Sequence, residues 1–141
     1  MQLPPIKLTK VTREHAKVLQ YLVCEYLDEQ EKDLQKQASV RFYSALQETA
    51  LLVELFLILR SKIESRKPKF GLSLKCQQAV TLFFACNHAF KIVTDKESYV
   101  YHCAQCYLNN LDKALKSVNI PRDSETTITA ASLELAYKLI P

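Results

Sequence analysis

The run ALLVELFLIL, residues 50–59, is the most apolar stretch of the chain, and its reading decides the fold. It is far short of the ~20 apolar residues that a membrane span needs, and Glu54 stands in its middle. Followed in both directions, it belongs to a longer helical pattern that opens at Ser39, a good N-cap, and runs to about Ser65. Pro68 and Gly71 enforce the break that follows. The run is therefore expected in a core helix.

With Phe42 as the origin, most apolar residues of this helix cover a wide arc, and Ser44, Gln47, Glu54 and Lys62 define a polar strip opposite. Leu51, Leu55 and Ile58, at i, i+4 and i+7, intrude on that strip. A helix that is apolar nearly all round is buried on two sides: it is the central helix of its own domain, or it gives a second stripe to another chain. Leu51, Leu55 and Ile58 are accordingly the candidate partner-binding residues, and Glu54 is read as a solvated acid.

Other helices frame this one. Residues 1–10 form an extended lead-in, because Pro4 and Pro5 disfavour helix. Thr12 can cap a first helix whose apolar face holds Val18, Leu19, Leu22, Val23, Tyr26 and Leu27, fading near Asp33. Ser73 can cap a third helix over 74–93. Thr94 to Glu97, "TDKE", is a capping-box pattern that opens a fourth, which stops before Pro121. A polar linker over 119–128 leads to a short fifth helix, with Leu133, Ala136, Tyr137 and Ile140 on one face. No stretch alternates long enough to read as a strand. The single glycine, where ordinary usage gives roughly ten, agrees with long helices and few tight turns.

These features predict one all-α domain over residues 1–141: an up-and-down four-helix bundle with a short additional C-terminal helix. Its likeness to known proteins ends at that architecture, which does not by itself fix a function.

The charge is polarised. RSKIESRKPK (60–69) has five basic side chains against Glu64, which equals the whole net charge of +4, whereas EYLDEQEKDLQK (25–36) has five acids and two lysines. Basic residues in the last turn of a helix complement its dipole. Arg60, Lys62, Arg66, Lys67 and Lys69 also make a nucleic-acid-associated regulator the first alternative.

Five cysteines are an odd number, and no export signal opens the chain, so reduced thiols in a cytoplasm are expected. In YVYHCAQCY (99–107), His102, Cys103 and Cys106 lie along the flank of the fourth helix. They could supply part of a zinc site, a second alternative, although Cys86 and His88 are ~200° apart on their own helix and cannot both join them. The plainer reading makes the cysteines small core hydrophobes. Glu-x-x-His pairs, H-E-x-x-H and glycine-rich phosphate loops are missing from the sequence. The expectation is a non-enzymatic module without a cofactor that binds a protein partner or itself.

Overall fold

The computed structural model describes residues 3–35 and 39–118. The chain is mostly helical, in the order β1 (Ile6–Thr12), α1 (Arg13–Gln35), α2 (Ser39–Glu64), β2 (Lys69–Leu74), α3 (Cys76–Ile92) and α4 (Tyr99–Lys116). The expected linker over 119–128 and the fifth helix with Leu133 to Ile140 lie outside the described residues.

The two strands correct the expectation that no strand exists. β1 and β2 pair antiparallel, Ile6 opposite Leu74 and Leu8 opposite Leu72. Both segments alternate, with Ile6, Leu8, Leu72 and Leu74 buried and Lys7 and Ser73 outside. Such alternation is the period of a half-buried strand, but each run is short and its partner lies some sixty residues away. Ser73 is thus a ladder residue and not the cap of α3. Gly71 lies within β2, and a Cβ there would make only ordinary contact with the Leu8 carbonyl, at 3.6 Å.

In β1 the buried residues step from Ile6 to Leu8 by two and then to Val11 by three. The extra residue is a bulge, and the register shifts between Leu8 and Val11. Lys10 absorbs it with φ of 57°, and the bulge returns Val11 to the core.

Thr12 closes the ladder opposite Lys69, and its Oγ1 accepts a hydrogen bond from the His15 N–H at 3.1 Å. As expected it caps α1, which grows from the strand without a loop. The Arg13 N–H donates to the Pro68 carbonyl (3.1 Å) and its Nε to the Ile63 carbonyl (2.9 Å). A cation thereby satisfies one of the orphan carbonyls at the C-terminal end of α2. Arg66, with φ of 60°, turns the chain out of the helix there.

Arg13 touches Ile63, and Tyr26 lies near Glu48, so α1 and α2 run antiparallel. The core fills with Leu19, Leu22, Leu52, Leu55, Leu59, Leu82 and Leu111, closed at one end by the sheet. α3 begins at Lys75, whose N–H donates to Gln78 Oε1 at 2.9 Å. α4 begins at Ser98, whose Oγ accepts from the Tyr101 N–H at 3.2 Å. The expected cap at Thr94 is displaced by four residues because Asp95 makes its own turn, its Oδ1 accepting from the Glu97 N–H at 3.0 Å.

A non-glycine residue in the left-handed region costs about 1–2 kcal/mol, more if β-branched. Lys10→Val should therefore lower the thermal midpoint and Lys10→Gly should not; equal losses in both, read by calorimetry, would contradict the bulge.

Candidate functional site: the outward face of α2

α2 packs on α1 and α3 through Ala45, Leu52, Leu55 and Leu59. Of the expected partner-binding residues, Leu55 is only 1% exposed, and Leu51 and Ile58 are half-buried, Ile58 against the core. Of that stripe, Leu55 and Ile58 thus face the helix's own domain. The cause lies in the polar side chains beside it. Glu54 is exposed, as expected, but its Oε2 accepts from Gln78 Nε2 at 2.9 Å, and Glu48 is hydrogen-bonded by Thr81. α3 thus supplies partners to the polar strip, which can then border a helix interface instead of open solvent.

Besides Val40 in the first turn (79% exposed), the large apolar residues of α2 left outside are Tyr43 (68% exposed), Leu46 (49%), Val53 (44%) and Leu57 (55%), with Ala50 among them. Their spacing is three, four, three and four residues. At 1.5 Å per residue the row is about 21 Å long, a straight seam on one helical face. Exposed apolar residues elsewhere, such as Tyr21, Phe84 and Tyr99, fall on other helices. A contiguous apolar row is the more informative feature.

By length and composition alone α2 could also cross a membrane: within Val40–Glu64 an 18-residue window has a mean hydropathy of 1.5. The unbroken run 50–59 understates this because apolar residues continue upstream of it. In the folded chain the inner face of this helix is occupied by α1 and α3.

The basic segment gathers at one end of the molecule. Arg60 pairs with Glu64 (Nε to Oε1, 2.9 Å), and Lys62 Nζ lies 5.9 Å from the Phe70 ring centroid. Arg66, Lys67 and Lys69 are exposed, and the outer side of the sheet adds Lys7 and Lys10. Lys7 and Lys62 border a cavity of about 390 Å³ with Ile58, Gly71 and Ser73. Sequence reading missed Lys7 and Lys10 because only the strand pairing brings β1 beside β2, with Lys7 opposite Ser73.

The structure places His102, Cys103 and Cys106 unequally along α4. Cys103 is buried while His102 and Cys106 are exposed, and no group of three or more metal-ligating side chains is suitably placed among the described residues. Burial, then the neighbouring Cys106, pushes the Cys103 thiol up to about 12, and burial, then Cys103, pushes Cys86 up further. Such thiols stay protonated and behave as core hydrophobes. Beside them Tyr107, raised chiefly by burial, keeps its proton and shares a 2.9 Å hydrogen bond with His15 Nδ1, tying α4 to the start of α1.

A second polar group lies where α1, α2 and α3 meet. Glu48 Oε2, Thr49 Oγ1 and His88 Nδ1 are buried without a protein partner, and the Tyr26 and His88 rings are 5.4 Å apart. Burial raises the Glu48 carboxyl, partly offset by the Thr81 hydrogen bond. A raised folded value favours the protonated acid: its stabilisation is complete below the ordinary value of 4.5 and is lost as pH rises through the folded value. Glu48→Gln should therefore raise the thermal midpoint at pH 7, with the advantage gone by about pH 4. A midpoint unchanged or lowered at pH 7 would contradict this assignment.

No family model matches the chain, and neither the curated proteins nor the solved structures include a significant match to it.

Proposed function

We propose that this chain is a small non-enzymatic helical module that binds a protein partner through the outward face of α2. The observation that carries the reading is the row Tyr43, Leu46, Ala50, Val53 and Leu57, apolar, in line and uncovered by α1 or α3. Its narrow width and the polar residues Gln47, Glu54 and Ser61 on one border suit a helix or strand of another protein better than the core of a bilayer. We read the four helices as an up-and-down bundle, since short connections favour antiparallel neighbours. The working compartment is the cytoplasm, in keeping with free thiols.

A photoreactive residue at position 57, introduced in cells, should give discrete protein adducts that a probe at exposed Lys113 of α4 does not. Loss of those adducts on Val53→Glu would complete the pattern, and a blank result at position 57 would overturn the reading.

The basic end supports a second reading, a nucleic-acid-associated regulator using Arg60, Lys62, Arg66, Lys67 and Lys69, because Lys7 of β1 borders the same cavity as Lys62. Binding to a labelled oligonucleotide should then fall steeply with salt, and Lys67→Glu with Lys69→Glu should abolish it. No binding at low ionic strength would end this reading.

A further inference from the structure

We infer that the occupant of the α2 face is a second copy of this chain, docked antiparallel across a two-fold axis near Ala50. The inference rests on the outward face being a partner surface, and it adds the identity and direction of the partner.

Two observations carry it. The first is the pattern of the seam. Ala50, the smallest side chain in the row, has Leu46 and Val53 on either side and Tyr43 and Leu57 beyond them, with Val40 exposed three residues before Tyr43. A two-fold axis near the centre makes such a row complementary to itself, because large ends meet large ends and the small residue lets the helices approach.

The second is charge. α1 and α2 form an antiparallel hairpin, so the acidic end of α1, with Asp28, Glu29 and Glu31 exposed and Lys32 set 3.7 Å from Glu29, lies at the start of α2, where Arg41 is exposed as well. The basic end, with Arg66, Lys67 and Lys69, lies just past its finish. The 26 residues of α2 hold these ends about 39 Å apart. That is several times the Debye length of about 8 Å at physiological salt, so within one chain the two ends cannot compensate each other. Antiparallel pairing sets the acidic end of one copy beside the basic end of the other, whereas parallel pairing sets like charges together.

Sedimentation of the full-length protein tests this. Expected is a species of twice 16.2 kDa that returns to 16.2 kDa in Val53→Glu/Leu57→Glu, with the helical circular dichroism retained. The dimer should also weaken as salt rises. In a mixture of isotopically heavy and light chains, a photoreactive residue at position 57 should form heavy–light adducts that map to residues 40–46 of the other copy. A dimer whose adducts map to the other copy's residue 57 and its neighbours would overturn the antiparallel arrangement.

A monomer at high micromolar concentration would overturn self-pairing, and so would adducts confined to the same chain. Recruitment of a monomer to vesicles of phosphatidylcholine and phosphatidylserine would overturn it in favour of a lipid surface. In the monomer case, cellular adducts of position 57 with a different protein would leave the partner-binding reading standing, so the two failures are distinguishable.

Discussion

Arg13 holds the sheet and the long helical hairpin in one frame. Its backbone donates to Pro68 and its guanidinium to the Ile63 carbonyl, so one residue at the start of α1 fastens both the end of α2 and the approach to β2. The Ile63 carbonyl also accepts from the Arg66 N–H at 3.3 Å, so Arg13 adds a cationic second partner to this helix end and joins it to the start of α1. The clasp also sets which way α2 faces. Once its C-terminal end is fixed to Arg13 and Glu54 is held by Gln78, the Leu52, Leu55 and Leu59 side must point inward. The row from Tyr43 to Leu57 is what remains outside.

The outward row and the polarised charge share an origin in this geometry. An antiparallel pair of long helices separates whatever lies at its turn from whatever lies at its open end. Here the acids flank the turn and the lysines and arginines flank the open end, where the sheet adds more lysines. The buried thiols follow a different logic. Cys86 and Cys103 fill places where α3 and α4 come close, and desolvation keeps them protonated.

Much of the helical framework was legible in the sequence because its signals are local. The cap at Thr12, the span of α2 from Ser39 to Glu64 and the burial of Cys86 each follow from residues within a turn or two of one another. The sheet was not, because Ile6–Leu8 and Leu72–Leu74 make sense only as a pair and the prolines beside them read as breakers. The site was half legible. That α2 carries a surplus apolar stripe is evident from its composition, but a helix apolar nearly all round has no periodicity to say which arc faces in. Leu55 lies inward and Leu57 outward, while Gln78 and Thr81, on another helix, supply partners to the acids Glu54 and Glu48 of α2. No reading of α2 alone contains that information.

Thr12 is at once the last rung of the ladder and the cap of α1. No loop therefore separates strand from helix. The direction in which α1 leaves the sheet is thus set by the ladder itself, and the Arg13 bonds to Ile63 and Pro68 carry that alignment to the end of α2.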